Sequence, residues 1–255
     1  MGRRTKYSPG CFSWIDLLTT DIDAAADFYG QVLGWDGRDD GGYHLFSLPG
    51  GDVAGGFAVT GVEGIVARWN TYITVTDVDE MVHTAVGLGA TVVQDPVDAH
   101  DAGRLAGLTD PGGAGFFLWQ DGTRFGATYV NEPGAWSWSE LMTRDPDGAA
   151  EFYRGLFGWD YERDGDGNDY RVILLDGRQI GGILTMPAEV PAASPPSWEA
   201  YFNVADLDAT LRVVTSAGGI APTDTREIPD VGRFATCRDP QGAPFILIQA
   251  LDWET

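Results

Sequence analysis

Cysteine is nearly absent from this chain. Cys11 and Cys237 are 2 residues in 255, which excludes a disulfide scaffold and any multi-cysteine zinc site and leaves each as a buried or incidental thiol. Positive charge is scarce as well: 16 Lys and Arg stand against 38 Asp and Glu, for a formal charge of −22. Such a surface repels phosphate backbones and anionic lipid, so neither nucleic acid nor a membrane is an expected partner. No apolar run approaches the roughly 18 residues of a spanning helix. The basic start Arg3, Arg4, Lys6 leads into Tyr7, Ser8, Pro9 and Gly10 rather than an apolar signal core, so the expected location is the cytoplasm. Histidine is limited to His44, His83 and His100, all in the first half. No P-loop, nucleophile elbow or haem motif is visible, and the GDG at 165–167 precedes a strand instead of linking strand to helix. No cofactor is expected.

What is present is a repeat. Apolar residues make up 44% and charged residues 21% of the chain, a soluble globular composition, and the length suits two domains. Residues 14–36, WIDLLTTDIDAAADFYGQVLGWD, align without a gap to 138–160, WSELMTRDPDGAAEFYRGLFGWD, with 12 of 23 positions identical. WNTYITVTDVD (69–79) matches WEAYFNVADLD (198–208), and GRLAGLTDPGGA (103–114) matches GRFATCRDPQGA (232–243), both at an offset of 129. Three collinear blocks mark a tandem duplication. The polar stretch Val130, Asn131, Glu132, Pro133, Gly134 separates the copies, giving domains at 8–130 and 134–255.

Each copy reads as strand, helix, strands, then strand, helix, strands. Segment 12–19 is a strand, and Asp21 or Asp23 starts a helix as N-cap or first-turn acid. Ala25, Phe28, Tyr29, Val32 and Leu33 form its apolar face, and Gly34 stops it. Strands follow at 43–48, 53–59 and 70–76, a helix at 78–88, and strands near 91–93, 103–109 and 115–119. The result is an α+β chain of four βαβββ modules, paired within each copy into two curved-sheet clefts. The Pro-rich 187–196 reads as the linker between the last two modules rather than a PxxP ligand.

An Asp-led helix ending in FYGQVLGW or FYRGLFGW, with DPGGA or DPQGA before the last strand, resembles the glyoxalase/bleomycin-resistance/dioxygenase (vicinal oxygen chelate) superfamily. WxDLxTxD, WxELxTxD, WNTYITV and GRFA resemble most closely its tandem glyoxalase-like proteins of actinomycetes, of the type labelled hydroxylases in aromatic polyketide pathways. In metal-dependent members the first strand of each module supplies His or Gln and the last strand Glu. Carried over, that pattern falls on Trp14, Asn70 and Phe117 in the first copy and on Trp138, Glu199 and Ile246 in the second, with no ligand in GFAV or GILT at the fourth position. An ion held by three or more good ligands is not expected, so no metal is assigned.

Alternation along strands then puts Trp14 and Asp16, Asn70 and Tyr72, and Phe117 and Trp119 on one inward face, and Trp138 and Glu140, Glu199 and Tyr201, and Ile246 on the other. Such aromatic cups suit a small hydrophobic or aromatic ligand, or are simply packed core. Asp16, Glu140 and Glu199 are candidate catalytic acids or bases if buried beside rings, and ordinary solvated acids if the strand ends are open. Arg104 and Arg233, each six residues before an Asp-Pro turn, either bind a ligand anion or pair with a nearby acid such as Asp98 or Asp101. His44 is the one histidine on a strand able to line a cleft. Three functions remain open: a metal-free protein that binds or transforms a small aromatic molecule, in hydroxylase-like chemistry or in resistance; a metal-dependent glyoxalase or dioxygenase; and a non-catalytic sequestering or scaffold protein. Because the fused copies pair internally, either a monomer or a homodimer fits.

Overall fold

The computed structural model describes residues 2–163 and 170–251; the GDG at 165–167 lies outside them. The first half runs β1 (Phe12–Thr19), α1 (Ile22–Leu33), β2 (Asp36–Asp40), β3 (Tyr43–Leu48), β4 (Gly51–Ala58), β5 (Arg68–Thr74), α2 (Val78–Gly87), β6 (Thr91–Ala99), β7 (Gly103–Thr109) and β8 (Gly115–Asp121). The second half repeats it as β9 (Trp136–Thr143), α3 (Pro146–Phe157), β10 (Asp160–Arg163), β11 (Tyr170–Leu175), β12 (Arg178–Thr185), β13 (Ser197–Asn203), α4 (Leu207–Ser216), β14 (Arg226–Ile228), β15 (Gly232–Arg238) and β16 (Pro244–Ala250). Each half makes one eight-stranded sheet, ordered β2-β3-β4-β1-β5-β8-β7-β6 and β10-β11-β12-β9-β13-β16-β15-β14. The order resolves into two βαβββ modules per sheet, joined where β1 runs antiparallel to β5 and β9 antiparallel to β13.

The four modules share a start signal. Asp21, Asp77, Asp145 and Asp206 each cap a helix, their carboxylates accepting the amides of Ala24, Glu80, Gly148 and Ala209 at 3.0, 3.0, 2.9 and 2.8 Å. A cap of this kind satisfies an N–H group that has no partner inside the helix. Helices α1 and α3 stop at Gly34 and Gly158, whose φ of 75° and 72° is left-handed and excludes most side chains. Strand β2 escapes a reading by hydrophobic pattern, because Asp36–Asp40 is exposed at every position and an edge strand of that kind carries no apolar alternation.

One face of each sheet carries the core. Ile15, Leu17, Ile73, Phe116 and Leu118 in the first half, and Leu141, Ala200, Phe202, Phe245 and Leu247 in the second, are fully buried and belong to one continuous cluster with the faces of α1 and α3. The two halves therefore share a core, and the duplicated motifs interlock across it. The Tyr29 hydroxyl of the first FY donates to Asp239 of the second Asp-Pro turn at 3.2 Å, and the Tyr153 hydroxyl of the second FY donates to Asp110 of the first at 3.1 Å. Trp69 and Trp198 indoles donate in turn to Tyr29 and Tyr153, at 3.1 and 3.0 Å. Trp35 and Trp159 donate across the seam to the carbonyls of Gly134 and Gly10. These bonds satisfy the indole and phenol donors buried between the halves.

Candidate functional site

The opposite faces of the sheets form the cups. In the first, Asp16 on β1 lies in register with Asn70 on β5 and with Gly55 on β4, and it is buried. Its carboxylate accepts three bonds: from Tyr72 Oη at 2.6 Å, Asn70 Nδ2 at 2.8 Å and Tyr43 Oη at 3.1 Å. The Trp14 indole donates to Tyr43 Oη at 2.8 Å. Tyr72 stacks on Phe117 with centroids 4.8 Å apart and meets Trp119 edge-on; Trp119 is tied by its indole to the Arg124 carbonyl at 3.0 Å. Burial raises the Asp16 carboxyl above its usual range, opposed by the three donors.

The second cup repeats the device with one change. Glu140 on β9, in register with Glu199 on β13 and Gly182 on β12, accepts from Tyr201 Oη at 2.9 Å and also from Tyr170. The Trp138 indole donates to Tyr170 Oη at 3.1 Å. Trp138 packs with Tyr201, Ile246, Ile248 and Phe234 in a small separate cluster. Where the first cup has Asn70, the second has Glu199, which takes the Ser197 hydroxyl at 2.6 Å. Burial pushes Glu140 up to about 7; its two phenol donors oppose this and the charge of Glu199 adds to it. Glu199 is itself raised by burial, against the pull of Ser197 and Arg238.

Tyr43 and Tyr170 complete these cradles and were not among the residues expected from sequence. Both sit at the start of a strand after loops of different length, so gapless matching skips them. Each needs a glycine opposite. A Cβ on Gly55 would overlap the Tyr43 hydroxyl, and one on Gly182 would overlap that of Tyr170. Beside each carboxylate, on β4 and on β12, a glycine thus leaves room for a phenol.

A divalent ion does not fit this donor set. Among the described residues no three His, Cys, Asp or Glu side chains are grouped to share one, and the Asp16 oxygens are already engaged by N–H and O–H donors. His44 is no help. Its neighbour Tyr43 points into the cup, so alternation turns His44 to the helix side, where it rests against Phe46 and over Gly37. Of the two readings for Arg104 and Arg233, the pairing with nearby acids is the one their contacts match. Arg104 reaches Asp79, in the first turn of α2, at 2.8 Å and Asp98 at 2.8 Å, while Arg233 reaches Asp208, in the first turn of α4, at 3.0 Å. Both lie on the helix side of their sheets, facing the first turns of α2 and α4.

Between the cups lies a cavity of about 350 Å³ to which both halves contribute: Arg68, Trp69, Asn70, Val93, Leu108, Thr109, Gly113, Gly115 and Phe117 from one, and Pro195, Pro196, Ser197, Trp198, Glu199 and Pro244 from the other. Its volume falls within the range of ligand pockets, and most of its wall is apolar. The Pro-rich linker forms part of that wall and is pinned by Arg144, whose guanidinium donates to the carbonyls of Ser194 and Pro191, each at 2.8 Å.

This architecture has known counterparts. A glyoxalase-like domain model matches residues 14–119, and the model of the Glyoxalase/Bleomycin resistance protein/Dioxygenase superfamily matches residues 136–247. "Putative glyoxylase CFP32" of Mycobacterium tuberculosis (strain CDC 1551 / Oshkosh) is 39% identical, over 98% of this chain and 98% of its own. The chain belongs to the glyoxalase/bleomycin resistance protein/dioxygenase superfamily. Within that superfamily it also resembles "Anthracycline biosynthesis protein DauV" of Streptomyces sp. (strain C5), 32% identical over 96% of this chain and 95% of the relative. In fold, it resembles the Mn(II)-bound glyoxalase from Novosphingobium aromaticivorans, with a TM-score of 0.67 at 15% identity over 100% of this chain and 86% of that one. An extradiol ring-cleaving dioxygenase from B. fuscum gives a TM-score of 0.67 at 13% identity, over 98% and 75%. No helix among the described residues is long and apolar enough to cross a membrane.

Proposed function

We propose that this superfamily member binds a small aromatic or hydrophobic molecule without a metal ion, to transform it or to sequester it. The observation that carries the reading is the cavity between the halves, with apolar and aromatic walls and a few convergent polar groups; the positions that the family pattern implies for metal ligands, Trp14, Asn70, Phe117, Trp138, Glu199 and Ile246, support it by their chemistry. The 32% identical relative named for anthracycline biosynthesis makes polycyclic aromatic polyketides the first candidates. Asp16, Glu140 and Glu199 are the available proton-transfer groups. Glu140, raised to about 7 by burial, exchanges its proton near neutral pH, as a general acid or base requires. Any oxygen chemistry needs its oxidant activated by the substrate or by a separate flavoprotein.

Titrating the protein with anthracyclinones, quinones and aldehyde adducts, read by quenching of its 9 tryptophans, should give saturable binding. A panel without response supports the scaffold reading. Protein purified without chelator that carries stoichiometric Ni, Zn, Mn or Fe and loses activity on chelation returns the family's metal-dependent reaction, in keeping with the name of the 39% identical relative.

A further inference from the structure

The cavity lies on the pseudo-twofold axis of the duplication. At the offset of 129, Arg68 corresponds to Ser197, Trp69 to Trp198, Asn70 to Glu199 and Gly115 to Pro244, and all eight line it. Had the copies stayed alike, the walls would present the same groups twice and a ligand would have two equivalent orientations. The tryptophans remain paired. The polar positions have diverged, leaving a guanidinium on one side and a carboxylate on the other.

These two groups do not neutralise each other. Arg68 makes no ion pair among the described residues; its Nε donates to Asn70 Oδ1 at 3.2 Å and its Nη1 to the Val66 carbonyl. Among the described residues Glu199 receives the Ser197 hydroxyl alone, on one oxygen, at 2.6 Å. Its residue is 7% exposed and lines the cavity. Phe117 and the Pro195–Pro196 segment add apolar surface to the same cavity.

We propose that the cavity takes a flat aromatic molecule bearing an anionic or carbonyl acceptor at one end and a phenolic hydroxyl at the other, in one orientation, with the acceptor on Arg68 and the hydroxyl donating to Glu199. The proposal rests on the binding reading above and adds the place, the polarity and the direction. An Arg fork suits a carboxylate or carbonyl, and a desolvated carboxylate discriminates strongly between a ligand with and without the hydroxyl it expects. Neither copy alone supplies both ends.

The test uses three rigid probes on the whole protein: 6-hydroxy-2-naphthoate, which has both ends, 2-naphthoate, which has the acceptor only, and 2-naphthol, which has the hydroxyl only. The first should bind at least tenfold more tightly than either of the others. Glu199→Gln should reduce its affinity to that of 2-naphthoate, and Arg68→Gln to that of 2-naphthol, with unchanged melting temperatures showing that the variants are folded. If the first probe binds but both variants leave its Kd within twofold, the placement is overturned; loss of binding in Trp119→Ala or Trp138→Ala then moves the ligand into a cup and keeps the binding reading. If neither the naphthalenes nor the polyketide panel binds, both proposals fall.

Discussion

Replacing Glu140 by Gln should make the protein more stable in mild alkali and leave it little changed in acid. Burial holds the Glu140 carboxyl at about 7 against an ordinary value of 4.5, so the folded state binds a proton that the unfolded chain has already released across that interval. A carboxyl raised in this way contributes fully below pH 4.5, and its contribution is lost as pH rises through 7. The difference corresponds to about 3 kcal/mol as a ceiling, or roughly 6–12 °C of melting temperature for a chain of this size. Gln keeps the shape and can still accept from Tyr201, but it has nothing to ionise. Thermal melts of wild type and Glu140→Gln at half-unit steps from pH 4.5 to 8.5 should therefore start close together and diverge, with the variant higher at the alkaline end. Asp16, Asp110 and Asp239, also raised by burial, slope both proteins alike and cancel in the comparison, whereas Glu199, whose charge adds to the rise of Glu140, is coupled to it and does not cancel. Parallel curves across the whole range would refute the assignment of a neutral buried carboxyl to the second cup.

Three further outcomes follow from the geometry. Tyr153→Phe removes the bond to Asp110 and strands the Trp198 indole, so denaturant melts should show a loss of about 1–3 kcal/mol, and Tyr29→Phe should do the same from the other side. Gly182→Ala drives a methyl into the Tyr170 hydroxyl; it should cost about 1–3 kcal/mol and, by depriving Glu140 of a donor, shift the pH at which stability falls upward, measured by the same melts. Arg144→Ala frees the linker from its three carbonyl contacts; ligand titration should weaken several-fold while the melting temperature moves by less than about 3 °C.

The strand and helix pattern was readable because burial imposes its period on the sequence. Strands 12–19, 43–48 and 103–109 have the boundaries that alternation and turn residues set, and a leading Asp announces the two helices that end in the FY motifs. The exposed edge strand β2 was not readable, since nothing on Asp36–Asp40 needs to be apolar. The set Trp14, Asp16, Asn70, Tyr72, Phe117 and Trp119 follows from period two together with the ligand positions that the family resemblance implies. Their bonds do not: whether Asp16 faces water or three donors depends on Tyr43, which arrives from a strand whose register no local rule sets, and on Gly55 leaving room for it.

The sequence by itself therefore determined the duplication, the four modules and the acidic composition, because repetition, periodicity and residue type survive without coordinates. Only the tertiary structure decided what the repeated motifs bond. The FY tyrosines reach across to the opposite Asp-Pro turns, Arg104 and Arg233 turn to the helices, and Arg68 and Glu199, 131 residues apart in the chain, come to line one cavity. Those outcomes depend on which strand lies beside which, and on how two halves pack about a shared core. Strand pairing and packing of that kind are long-range properties, and no spacing along the chain encodes them.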